Sequence, residues 1–313
     1  MALSRAEYEF SLKLGAEAQL NPPKPLLSTS LEEFRANISL FLQHSGAPAD
    51  VPVIDVDIPM RDGHLAKTRI FNHQLNADQP FLLMYPGCGF ICDLFEANAI
   101  ALSRVARYAN VKVIMSQFRL TPEVKFPIPL NDAFDIAKYI VSNAAKFNIN
   151  PAKMIMGGFS SGACASSIVS KLAYNDPELK ILHQLLYNGS YDLLRSSHDY
   201  DAYEKEDYML DPDTFEYIFS RYGLARSDYN NPQYSPYYET DFSQYPKTTF
   251  IVSEYDGCRN DTESYYKKLL ANNVAVDKIV IPGQTHNNLI LRGAMADEDD
   301  PAKVIADVIR RYI

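Results

Sequence analysis

Gly158-Phe159-Ser160-Ser161-Gly162 is the stretch on which the reading of this chain turns. It is a G-x-S-x-G pentapeptide. The apolar run 153–156 precedes it, and a helical stretch rich in Ala and Ser, 160–173, follows. Strand, sharp turn and helix are the setting in which this pattern carries chemistry. The glycines are needed because the turn leaves no room for side chains beside it. Ser160 is then held in a strained conformation, with its hydroxyl above the edge of a sheet. It also stands at a helix N-terminus, where backbone N–H groups and the dipole favour developing negative charge. Ser160 is the candidate nucleophile.

Working outward, short apolar runs alternate with helical stretches. The runs are 81–85, 111–116, 153–156, 181–187, 248–252 and 278–281. The helical stretches are 95–108, 129–147, 160–173, 261–271 and 301–312. Continuous apolar runs suit strands covered on both faces, and their alternation with helices predicts a mostly parallel sheet. Two earlier runs, 51–58 and 65–71, alternate apolar and polar around Arg61-Asp62-Gly63, the pattern of a hairpin. Two helical patterns come before it. The first covers residues 4–20. The second starts at Ser30, with Glu33 completing a capping box, and runs to about residue 44. Residues 188–241 interrupt the alternation. They are rich in tyrosine and hold a helix at 212–222 with Asp211 as N-cap and Pro212 first. An insertion this long is usually functional, often a lid.

A serine hydroxyl needs a base, and imidazole suits because its pKa lies near working pH. Of six histidines, His286 alone follows both Ser160 and the last β-type run, in the polar loop Gly283-Gln284-Thr285-His286-Asn287-Asn288. His44, His64, His73, His183 and His198 stand in helical, hairpin, strand or insertion settings. The third partner should be a carboxylate that fixes the imidazole tautomer. Asp256 lies just past the run 248–252, with Glu254 as runner-up and Asp261 as a more distant alternative.

These residues, with Phe118-Arg119-Leu120-Thr121-Pro122-Glu123, Asn131-Asp132-Ala133, Ser235-Pro236 and Glu254-Tyr255-Asp256-Gly257-Cys258-Arg259, resemble the hormone-sensitive-lipase-like branch of the α/β hydrolases. The resemblance runs from about residue 81 to residue 286. It implies an α/β-hydrolase fold: a mostly parallel central sheet of about eight strands flanked by helices, with a helical cap. Residues 50–187 and 242–313 would form the core, and 1–49 and 188–241 the cap. It implies hydrolysis of carboxylic esters through a Ser-His-Asp triad, without cofactor or metal, and a possible homodimer; short-chain acyl esters are expected, because no large apolar stretch suggests a lid for a lipid interface. The family's H-G-G-G loop reads Pro86-Gly87-Cys88-Gly89 here. The matching oxyanion donors are expected at Gly87, Cys88 and Ser161. Cys88 is expected to strain a backbone that glycine accepts freely, and to expose the reaction centre to thiol reagents. Relatives that serve as small-molecule receptors have lost the histidine, so a ligand-binding protein on this scaffold is the competing reading. Amide hydrolysis and acyl transfer would use the same residues.

Composition narrows the classes further. The 313 residues carry a net charge of −9 and no Lys/Arg run, which argues against nucleic acid as a partner. The four cysteines form neither a C-x-x-C pair nor a zinc-ligand spacing and read as free thiols. Charges in the first ten residues stand where a secretory apolar stretch would be. No apolar run approaches the roughly 20 residues of a membrane span. A cytoplasmic location is the expectation.

Overall fold

A computed structural model of the chain describes residues 26–39, 43–196, 210–291 and 300–313. The expected helix at 4–20 and His198 lie outside the described residues. Eight strands form one sheet: β1 Val53–Pro59, β2 Leu65–Phe71, β3 Phe81–Tyr85, β4 Lys112–Ser116, β5 Met154–Phe159, β6 His183–Tyr187, β7 Thr248–Tyr255 and β8 Val276–Thr285. The described helices are α1 Leu31–Ser39, α2 Phe95–Ala109, α3 Ile128–Ser142, α4 Ala144–Phe147, α5 Ser161–Leu172, α6 Pro212–Phe219, α7 Arg259–Ala271 and α8 Pro301–Arg310.

The strand order is β1-β2-β4-β3-β5-β6-β7-β8. The β1–β2 and β2–β4 pairs are antiparallel, and every other pair is parallel. Strands β3, β4, β5 and β6 are buried at every residue, which is why their sequences read as unbroken apolar runs. Outer strand β1 is mostly exposed and alternates. This is the α/β-hydrolase sheet that the sequence predicts.

Local signals set the element ends. Ser30 Oγ accepts Glu33 N–H at 3.1 Å while Glu33 Oε2 accepts Ser30 N–H at 3.1 Å, a reciprocal box. Asp211 Oδ1 accepts Thr214 N–H at 2.8 Å, with Pro212 following. The helix expected at 129–147 is two pieces. Asn143 leaves helical geometry at φ −113°, and its side-chain amide donates to Tyr139 O at 2.9 Å, ending α3.

α6 lies against the described N-terminal segment. The rings of Phe34 and Tyr217 are 4.6 Å apart, and Tyr217 donates its hydroxyl hydrogen to Thr29 O. Both elements sit above the carboxyl ends of the parallel strands, where open α/β sheets bind ligands. Among the described residues no helix is long and apolar enough to cross a membrane.

Candidate active site

The pentapeptide folds as its glycines require. A Cβ on Gly158 would lie 2.0 Å from the backbone of Gly162, and one on Gly162 would lie 2.3 Å from Tyr85 O. Helix α5 therefore presses against β5 and β3 as no larger residue allows. Between them Ser160 has φ +54°, a left-handed value uncommon for a residue with a side chain. Its hydroxyl is lifted off the end of β5.

His286 follows β8 directly, and its Nε2 lies 2.9 Å from Ser160 Oγ. Its Nδ1 lies 2.7 Å from Asp256 Oδ1. Asp256 follows β7 and is fully buried; the same oxygen accepts Cys258 N–H at 2.7 Å. Three side chains from the ends of three parallel strands thus meet in one hydrogen-bonded line. Asp256, Cys258 and His286 also bring metal-type ligand atoms within 4.8 Å of one another, and Asp256 Oδ1 and His286 Nδ1 among them are hydrogen-bonded to each other.

The alternative carboxylates face elsewhere. Glu254 Oε2 accepts Gly283 N–H at 2.8 Å, tying β7 to β8 beside the ladder irregularity at Ser253/Tyr255. Asp261 Oδ2 accepts the N–H groups of Tyr191 and Asp192 at 2.7 and 3.3 Å.

The loop after β3 differs from expectation in two respects. Gly87 N–H donates to Asn98 Oδ1 at 3.0 Å, and Asn98 Nδ2 returns a bond to Gly87 O at 3.0 Å. The Gly87 donor is therefore spent on holding the loop. Cys88 lies outside the positive-φ residues; the left-handed positions are Gly89 at +57° and Phe90 at +58°. A cysteine at 88 thus meets no left-handed strain. Cys88 N–H donates to Ser161 Oγ at 3.1 Å. Gly89 N–H has no acceptor among the described residues, and its carbonyl accepts the Tyr222 hydroxyl at 3.1 Å. Ser161 N–H, at the first position of α5, is one of the donors a helix start leaves unused.

The sequence model of the alpha/beta hydrolase fold family matches residues 82–290. The chain belongs to that family. This hydrolase is 24% identical over 276 residues to an ethyl acetate hydrolase of Pseudomonas putida, covering 85% of each chain. It is 27% identical over 234 residues to an arylesterase of Saccharolobus solfataricus, covering 74% of this chain and 75% of the relative. The hyperthermophilic esterase of the archaeon Pyrobaculum calidifontis superposes with a TM-score of 0.86 at 24% identity over 99% of both chains, a likeness of fold.

Two apolar spaces meet at Ser160 in the hydrolase. One is walled by Phe90, Phe126, Cys164, Phe219, Tyr222 and Tyr234. The other is walled by Phe34, Ile38, Cys88, Cys92, Phe159 and His286. Leu210 and Ile218 border both.

Several residues hold this geometry from behind. Asn188 Nδ2 donates to His286 O at 2.9 Å and to Ser253 Oγ at 3.0 Å, while its Oδ1 accepts Ser253 N–H. Tyr187 and Asn288 add a further hydrogen bond at 2.8 Å behind the histidine. Arg119 grips Asp132 through two bonds of 2.8 and 2.7 Å, and Thr121 N–H then holds Phe90 O at 2.8 Å. The F-R-L-T-P-E and N-D-A segments are thus the brace of the loop that carries Cys88 and Gly89.

The thiols are withdrawn from solvent. All four cysteines are buried and free. Burial pushes the Cys88 and Cys92 thiols up to about 12. At pH 8 only about one in 10⁴ such groups is a thiolate. The native hydrolase should therefore react with Ellman's reagent far more slowly than the denatured chain, which should release four equivalents. Activity should survive the native incubation; rapid loss of activity with one thiol modified would reject this.

Proposed function

We propose that the hydrolase cleaves small carboxylic esters through an acyl-enzyme at Ser160. The observation that carries this reading is the relay of 2.9 and 2.7 Å from Ser160 through His286 to Asp256. It ends beneath two apolar pockets. Ser160 Oγ attacks the ester carbonyl as His286 Nε2 takes its proton. The carbonyl oxygen becomes an oxyanion held by Ser161 N–H and Gly89 N–H, donors already fixed before reaction. His286, oriented by Asp256, then gives the proton to the leaving alkoxide. A water deprotonated by the same Nε2 attacks the acyl carbon, and collapse of the second intermediate returns Ser160 and releases the carboxylic acid.

The proton must reach the leaving oxygen from His286. The pocket that includes His286 is therefore assigned to the alcohol side and the aromatic pocket to the acyl side. α1, α6 and the other described residues of the 188–241 insertion act as the cap, with Leu210 and Ile218 parting the two pockets. Aromatic walls on the acyl side favour short acyl chains, and the relative named an ethyl acetate hydrolase points the same way.

Two measurements test the proposal together. Diethyl p-nitrophenyl phosphate should inactivate the protein at one equivalent and mark the Ser160 peptide in a mass spectrum. p-Nitrophenyl acetate and butyrate should turn over faster than the octanoate. A label on another residue would reject the nucleophile; fastest turnover of the octanoate would reject the short-acyl assignment.

A further inference from the structure

The residue after the proposed nucleophile carries a hydroxyl of its own. Ser161 Oγ accepts Cys88 N–H at 3.1 Å and lies 3.6 Å from Cys88 Sγ. Ser161 is buried, and its described side-chain hydrogen bonds all go to Cys88. The neighbouring Gly87 N–H is already given to Asn98. Of the three successive N–H groups at 87–89, that of Gly89 alone is uncommitted among the described residues.

We propose that the Ser161 hydroxyl is an internal occupant of the oxyanion hole, withholding Cys88 N–H until the reaction displaces it. This rests on the hydrolytic reading above. A charged oxyanion is the stronger acceptor, so it can draw Cys88 N–H away from a neutral hydroxyl. The displaced hydroxyl must then turn within a buried, tightly packed site and give up its bond. That loss falls on the transition state and not on the bound ester, because the oxyanion forms only there. The hydroxyl therefore lowers kcat and leaves KM nearly alone. A methyl group at 161 would keep the backbone N–H, the helix start and the packing, and would remove only the competing acceptor.

The experiment compares wild type, Ser161→Ala and Ser160→Ala on p-nitrophenyl butyrate, with active sites counted by diethyl p-nitrophenyl phosphate. Ser161→Ala should raise kcat per active site by about two- to tenfold, the worth of one neutral hydrogen bond. KM should stay within about twofold, since uniform binding is untouched. Tm should be equal or lower, because a native hydrogen bond is gone; this separates the gain from better folding. A kcat at or below wild type would overturn the inference and make the hydroxyl a helper. A gain confined to KM would overturn it as well. Wild type and Ser161→Ala both at the level of Ser160→Ala would remove the hydrolytic reading and the inference with it.

Discussion

Ser160→Ala is expected to lower kcat for p-nitrophenyl butyrate by about 10⁵- to 10⁶-fold, His286→Ala by a similar factor, and the double variant hardly further. The two side chains act as one device. Without the imidazole at 2.9 Å, the Ser160 hydroxyl keeps its proton and is a poor nucleophile. Without the hydroxyl, the imidazole has only water to activate. The losses therefore do not add. What survives is the contribution of the fixed N–H donors and of binding, about 10³-fold over water in comparable systems. KM should change little, because neither group is needed to seat the ester in the apolar pockets. The measurement is steady-state kinetics on the two single variants and the double. Losses that multiply would show two independent contributions and would break the relay reading. Retained fold is checked by Tm, which should hold closely in Ser160→Ala and fall in His286→Ala, where a buried imidazole is lost from Phe159 and from the buried Asp256.

The residues that were legible in the sequence share one property: their setting is local. Ser160 lies between two glycines whose spacing reports a tight turn, and the apolar run before it reports the strand. His286 was found by position, as the polar loop after the last strand, and Asp256 likewise. The sheet was legible because strands buried on both faces leave continuous apolar runs. What escaped was held by contacts across the fold. Asn98 sits on α2 and looks like any helix residue, yet it clamps Gly87 from eleven positions away. Asn188 supports His286 from 98 positions away. The linear pattern of the oxyanion loop shows residue types but not the Asn98 bonds that engage Gly87. The left-handed backbone expected at Cys88 lies instead at Gly89, which accepts it freely, and at Phe90. A motif gives residue types in order; it does not say which N–H groups are already in use.

Asp256→Asn is the second large effect, with kcat expected to fall about 10⁴-fold while the protein stays folded. Cys258 N–H and His286 Nδ1 meet the same oxygen, Oδ1. With the amide nitrogen in that place, the new side chain gives up the Cys258 bond and offers His286 an N–H where the carboxylate offered a lone pair. The imidazole then carries its proton on Nε2, toward Ser160, and cannot take another. Two controls separate this from general damage among nearby acids. Glu254→Gln keeps an oxygen for Gly283 N–H and should stay within about threefold of wild-type kcat. Asp261→Asn should do the same, because its bonds go to the Tyr191 and Asp192 backbone. It should alter something else. Burial raises the Asp261 carboxyl to about 7, against 3.8 for an ordinary aspartate. The folded chain thus holds a proton that the unfolded chain has released. The stability this lends is full below about pH 4 and is lost as the pH rises through about 7. Asparagine has no proton to lose, so Asp261→Asn should flatten that decline in Tm between pH 4 and 8. A 10⁴-fold loss in Asp261→Asn, with Asp256→Asn near wild type, would move the third member of the triad to Asp261.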